Sequence, residues 1–242
     1  MAYAKIIDID DPGYFRLKSI DQSQLKQFLK NPADWAYHRL NDDHKPTDAM
    51  KFGTAFHAYL LGTSDVVSLP EGESFRSKDN QKWRADQLEA GNIIVSYNDM
   101  QLLKRMKEGI EQTSLMPEYP DYMEIIEQGT KEQCIEWKDR QTGLMLKAKP
   151  DLIPAGTDYL VDLKTAQKAD AESFAKEVIN YGYHIQTVFY RAAVAACKPD
   201  AFDRGSKAPS TMQFWVFEKT DACDWQPFSI SDDNPRNRSE ER

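Results

Sequence analysis

The amino-acid sequence predicts an α/β fold: a mixed central sheet flanked by helices, with an N-terminal helical elaboration. Three observations carry this. Apolar residues recur with helical spacing through the first hundred or so positions, alternation with period two takes over from about residue 130 to 165, and a long helical stretch then separates that meander from two more strand-like runs. At 242 residues the chain has enough material for one large domain. We expect that domain over residues 1–230 and a charged, disordered tail over 231–242 (SDDNPRNRSEER).

The elements follow in order. A helix is expected from Ser19 to Leu29, with Ser19, Asp21 or Ser23 as cap and Leu25, Phe28 and Leu29 as its apolar stripe. Asn31-Pro32 stops it, Ala33-Asp34-Trp35 opens a second short helix, and HRLNDDHKPTD (38–48) is expected as a polar loop. From Met50 to Leu61, residues Phe52, Ala55, Phe56, Tyr59 and Leu60 form a core-facing helical stripe closed by Gly62. Residues 63–98 mix loop and helix, and an amphipathic helix covers Asn98 to Gln112. Thr130–Lys138, the turn DRQTG and Leu144–Ile153 predict a hairpin, followed by the turn PAGTD and a strand over Tyr159–Thr165. Helix is expected from Ala171 through Cys197, bent near Tyr181-Gly182, then strands over 211–219 and 225–230.

Composition excludes several classes. The net charge of −8, from 39 acids against 31 bases, argues against a passive nucleic-acid binder. It does not exclude an enzyme that gathers carboxylates around a divalent cation. Three cysteines (Cys134, Cys197, Cys223) with no CxxC pair predict reduced thiols in a cytoplasmic protein, and no Walker A loop or GxGxxG fingerprint is present. The N-terminus has no basic-then-apolar leader and no run approaches a membrane span, so neither secretion nor a membrane partner is expected.

The stretch KPDLIPAGTDYLVDLKT (149–165) carries the chemistry. On a strand, Asp162 and Lys164 point to one face with Leu163 turned away, and Asp151, near the end of the preceding strand, can meet Asp162 across the sheet. Two carboxylates beside an ammonium suit a hard cation such as Mg²⁺, which takes one or two protein carboxylates together with substrate phosphate. The bland alternative is a surface cross-strand ion pair.

Pro150-Asp151 followed, after ten intervening residues, by Asp162-x-Lys164 resembles the PD-(D/E)xK nuclease motif. GTAFH (53–57) resembles the helix-borne histidine of the RecB-like branch, and Gln186-x-x-x-Tyr190 its QxxxY helix motif. In order, SQLKQFLKNPADW, MKFGTAFHAYLLG, FRSKDNQKW, LMLKAKPDL, VDLKT and YGYHIQTVFYRA resemble the exonuclease VIII (RecE-type) nuclease domain across residues 20–218.

That resemblance implies a PD-(D/E)xK restriction-endonuclease-like core in which Asp151, Asp162 and the Leu163 carbonyl hold Mg²⁺, with Mn²⁺ as a substitute. His57 would ligate or flank the metal, and Glu132 could complete a second metal site. Lys164 would orient or deprotonate the attacking water, and Gln186 and Tyr190, sharing a helical face, would hold DNA or buttress the strand. Blander readings stand beside these: His57 as a semi-buried structural histidine, Gln186 and Tyr190 as the polar edge of a packed helix. Arg76, Lys78, Lys82 and Arg84 either track phosphates at the mouth of the site or belong to an ordinary loop. His184 reads as structural or, at most, as a DNA contact. His38, Asp42, Asp43 and His44 read as solvated loop, and Glu118, Asp121, Glu124 and Glu127 as a solvated face.

The implied function is a Mg²⁺-dependent exodeoxyribonuclease acting on linear double-stranded DNA ends, 5′ to 3′, leaving 5′-phosphates and a 3′ single strand. Its implied partners are a RecT-like annealing protein and its own copies in a ring-like homo-oligomer, a tetramer, in a bacterial or phage-encoded cytoplasmic setting. Rival readings are a structure- or single-strand-specific endonuclease of the same superfamily, a non-catalytic DNA-end-binding or protein-binding module, and a metal-binding interaction protein of unrelated fold.

Overall fold

A computed structural model describes residues 4–41, 46–198, 201–202 and 208–231. The chain opens with β1 (Ala4–Ile7), α1 (Asp11–Arg16), α2 (Gln22–Lys30), α3 (Pro32–Asn41) and α4 (Asp48–Leu61). Asp10, Asp21 and Thr47 cap α1, α2 and α4 by accepting the main-chain N–H three residues on, and Gly62 closes α4 in the left-handed region at φ +68°. Next come β2 (Val66–Ser68), α5 (Lys78–Glu89), β3 (Ile93–Val95), α6 (Tyr97–Ser114) and α7 (Tyr122–Gln128). The second half contributes β4 (Thr130–Lys131), β5 (Cys134–Lys138), β6 (Met145–Ala148), β7 (Leu152–Ile153), β8 (Tyr159–Ala166), α8 (Ala171–Tyr181), α9 (Tyr183–Ala196), β9 (Thr211–Glu218) and β10 (Trp225–Ser231).

A five-stranded mixed sheet, ordered β10-β9-β8-β7-β4, forms the centre. β8 and β9 run parallel through the full length of β8, while the other neighbours are antiparallel. The crossover between the parallel pair is α8–α9, as a parallel connection requires. Strands β8 and β9 are apolar on both faces because both faces are covered. On one side Leu160, Phe214 and Val216 pack with Phe174, Phe189 and Ala193 of α8 and α9. On the other, Val161, Leu163, Trp215 and Phe217 pack with Phe56, Leu103, Met106 and Tyr122 of α4, α6 and α7.

Several expectations are corrected. The anticipated two-stranded hairpin over 130–153 is four short strands in two sheets. β4 and β7 belong to the central sheet, while β5 pairs with β6 on one side and β1 on the other in a separate antiparallel sheet. The break is local chemistry: Glu132 stands at φ +46°, a left-handed backbone costly for a residue with a Cβ. Opposite it, Pro150 has no N–H to extend the ladder. The short β1 and α1 were not foreseen, nor was the parallel pair β2–β3 around α5. The helix expected from Ser19 starts at Gln22, and α3 absorbs His38–Asn41 from the expected loop. Asp42, Asp43, His44 and the tail beyond Ser231 lie outside the described residues. The expected bend falls at Gly182, where φ +63° ends α8 and begins α9. All three cysteines are free thiols. Among the described residues no helix is long and apolar enough to cross a membrane.

Candidate active site

The site is built around the main chain of one residue of β8, Leu163. Alternation turns Leu163 into the core against α4 and sends Asp162 and Lys164 toward α9. The Leu163 N–H donates to Asp151 Oδ2 at 2.8 Å, and its carbonyl lies 3.0 Å from His57 Nε2. His57 Nδ1 is 3.6 Å from Asp151 Oδ1, so imidazole and carboxylate adjoin each other as they meet the two main-chain polar groups of Leu163. Asp151 stands at the start of β7, beyond Pro150, where the chain passes from the outer sheet to the central one.

Asp162 is 1% exposed. Burial of a carboxylate is expensive unless it is paired, and two partners meet it: Lys164 Nζ at 2.5 Å from Oδ2 and the Gln186 amide, which donates to Oδ1. The Gln186 amide oxygen in turn lies 3.5 Å from Lys164 Nζ, closing a three-residue ring. The Lys164 ammonium also lies 4.8 Å from the centre of the Tyr183 ring. Gln186 reaches this position because α9 starts afresh at Gly182; a continuous helix from Ala171 would aim residue 186 elsewhere.

Burial raises the Asp151 carboxyl to about 6; the nearby His57 opposes the rise and the charge of Asp162 adds to it. Tyr190 lies one helical turn beyond Gln186. Burial, with Tyr14 next, holds its phenol well above the ordinary value, so it stays a neutral hydroxyl.

A cavity of about 230 Å³ opens beside His57, lined also by Thr54, Glu132, Lys149, Tyr190 and, from the N-terminal arm, Asp11, Tyr14, Phe15, Asp21, Gln22 and Ser23. Asp162 and Lys164 lie outside its lining. The structure thus brings together Asp151, Asp162, Leu163, Lys164, His57 and Gln186, with Tyr190 and Glu132 on the adjoining cavity. Glu132 faces Lys149 at 3.8 Å, and its N–H donates to the Asp151 carbonyl at 2.9 Å. Arg76 precedes α5, and Lys78, Lys82 and Arg84 lie on it; all four are exposed and none lines this cavity, and three of them are helical where loop was one of the expectations.

Sequence reasoning passed over four residues here. Lys149 precedes Asp151 by two on the same run and donates to Asp11 at 2.5 Å; period two could have found it. Lys147 is fully buried under α1, donating to the Tyr14 and Leu17 carbonyls at 2.9 and 3.1 Å, with Asp21 at 3.7 Å. Lys26 donates to the Tyr181 carbonyl at 2.7 Å at the end of α8; burial, then the charge of Lys164, pulls its ammonium down to about 8. No local pattern marks Lys26 or Asp11, whose partners are 155 and 138 residues away.

The donor set suits a hard divalent cation: two carboxylates, a main-chain carbonyl and an imidazole. Asp162 Oδ2 is buried and charge-paired with the Lys164 ammonium at 2.5 Å, so a cation held by this carboxylate would share the oxygen with Lys164. Among the described residues no three His, Cys, Asp or Glu side chains stand close enough to hold an ion by themselves, and the Leu163 carbonyl, 3.0 Å from His57 Nε2, adds a main-chain oxygen donor beside them.

A family model described as a PDDEXK-like domain of unknown function (DUF3799) matches residues 21–241. No curated protein matches the sequence. Among solved structures, the chain is similar to a Eubacterium rectale protein described as a "Putative exonuclease", with a TM-score of 0.58 and 16% identity over 93% of this chain and 79% of that one. At that identity the likeness is one of fold.

Proposed function

Since the chain belongs to the PDDEXK-like family, matched over residues 21–241, we propose that it is a divalent-metal-dependent deoxyribonuclease that shortens linear duplex DNA from an end. One observation carries the reading: Asp151 and His57 meet the main-chain N–H and C=O of Leu163 while Asp162 and Lys164 pair at 2.5 Å on the opposite face of the same strand. A purely structural ion pair has no use for a histidine and a second, largely buried carboxylate on the main chain of the intervening residue.

In this reading Asp151, Asp162, the Leu163 carbonyl and His57 would hold Mg²⁺ or Mn²⁺. When bound, the ion supplies Lewis-acid activation of a water and neutralises charge on the phosphodiester. Lys164 orients the attacking water and offsets negative charge as the P–O bond breaks. Gln186 fixes both the carboxylate and the ammonium, and thereby the direction from which Lys164 approaches. Tyr190 offers a neutral hydroxyl to the cavity.

The finer features rest on the ordered resemblance to exonuclease VIII: 5′ to 3′ polarity, 5′-phosphate products, a RecT-like annealing partner for the 3′ strand, and a tetrameric ring. A ring would reconcile DNA binding with a net charge of −8, by leaving acids outside and focusing bases inward. A monomer on sizing at micromolar concentration would remove the ring.

The deciding experiment incubates the protein with linear blunt duplex and with covalently closed circles, each with Mg²⁺ or EDTA. Loss of linear DNA alone, and with Mg²⁺ alone, supports the end-dependent nuclease. Cut circles favour an endonuclease, and no cleavage of either overturns the catalytic reading.

A further inference from the structure

We propose that Lys149 is a substrate-binding residue that holds a DNA phosphate in the cavity beside His57, and that Asp11 occupies the place of that phosphate in the free protein. The proposal deepens the nuclease reading and rests on it.

The cavity wall is short of positive charge. Among the described residues its lining includes the carboxylates of Asp11, Asp21 and Glu132, and a single lysine or arginine, Lys149. Asp151 and Asp162 lie close behind. A polyanion entering there needs a cation, and Lys149 is the one that faces it. Its side chain is 17% exposed, sunk between the two sheets, yet its ammonium reaches the cavity and carries three donors.

Of its two carboxylate partners, Glu132 is at 3.8 Å, beyond hydrogen-bond distance. The Glu132 backbone is fixed by its N–H bond to Asp151. Asp11 makes the hydrogen bond, at 2.5 Å, from the first turn of the six-residue α1, with a side chain 47% exposed. The close partner is therefore the one on the exposed arm, and the fixed partner is the loose one. Replacing Asp11 by a phosphodiester exchanges one anion for another at Lys149, so the ammonium never loses its counter-charge. Asp11 can turn into solvent at small cost, because half of it is already there.

The test measures affinity for a fluorescent linear duplex in EDTA, where no cleavage occurs, for wild type, Asp11→Asn, Lys149→Met, the double variant and Lys149→Arg. Asp11→Asn should bind about fivefold more tightly and Lys149→Met about tenfold more weakly, as expected for one charge-assisted contact. The slope of log affinity against log salt should fall by about 1 in Lys149→Met, which a merely structural lysine would not produce. Lys149→Arg should retain most of the affinity. Asp11→Asn should give no gain when Lys149 is already methionine. An equal gain in both backgrounds would reduce Asp11 to bulk repulsion and overturn the proposal, as would wild-type affinity and salt slope in Lys149→Met. If wild type cleaves linear DNA while these variants behave alike, the nuclease reading stands and this one falls. If wild type neither binds nor cuts, both fall.

Discussion

Gln186 donates its side-chain amide to Asp162, and that bond ties α9 to the middle of β8 at the point where Lys164 turns back on the same carboxylate. The ring of three fixes an ammonium that in solution would sweep freely.

Lys164→Ala should therefore lose cleavage by at least a thousandfold while DNA affinity stays within about threefold. Gln186→Ala should lose one to two orders of magnitude, since it frees Lys164 and leaves a buried Asp162 oxygen unpaired. Single-turnover cleavage alongside anisotropy binding separates the two effects. Wild-type rates in Lys164→Ala would refute the assignment.

Asp151 gives a pH dependence with a definite sign. Its carboxyl is raised to about 6 by burial, above its ordinary value near 4, so the folded protein retains a proton that the unfolded chain has released. Its stabilising contribution is present below pH 4 and is lost as pH rises through 6. The melting temperature of metal-free wild type should fall relative to Asp151→Asn between pH 4 and 7. Mn²⁺ affinity should weaken about tenfold per unit below pH 6, because the ion must displace that proton. Parallel melting curves for the two proteins would show that Asp151 is not raised.

Gly182→Ala meets two obstacles. The backbone at φ +63° disfavours a Cβ, and that Cβ would stand 2.8 Å from Lys26 Cδ. Lys26 is itself held by the Tyr181 carbonyl, so it yields only by giving up that bond. We expect a loss of about 1–2 kcal/mol, read as a drop of several degrees in melting temperature, with activity reduced further because Gln186 and Tyr190 shift together.

Lys147→Met tests the anchor of the N-terminal arm. It strands the Tyr14 and Leu17 carbonyls and leaves Asp21 without its ammonium, which should cost about 3 kcal/mol in urea denaturation. Limited proteolysis should begin within residues 8–22, ahead of global unfolding.

Much of the core chemistry was legible because it is local. Asp162, Leu163 and Lys164 obey period two, Gln186 and Tyr190 obey helical spacing, and Gly182 marks its own bend. The strands over 159–165 and 211–219 lie within a residue of β8 and β9, since β-branched, aromatic and other apolar residues dominate both runs. What the sequence concealed is non-local. Nothing in the residues beside Glu132 announces φ +46°, and the partner of its N–H, the Asp151 carbonyl, stands nineteen positions later. The continuous alternation from 130 to 153 looks like one hairpin, and only tertiary pairing reveals that it divides between two sheets. Lys147 and Lys149 resemble ordinary surface lysines until the N-terminal arm folds over them.

The change of sheet at Glu132 and again at Pro150 has a mechanical consequence. The wall carrying Glu132 and Lys149 hangs from β5 and β6, whereas Asp162 and Lys164 hang from β8, so the two halves of the site are mounted on separate plates. Trp137 against Phe189, with ring centres 5.0 Å apart, is one of the shims between those plates. A substitution there alters no chemical group in the site, yet it would change the spacing between the wall bearing Lys149 and the strand bearing Lys164.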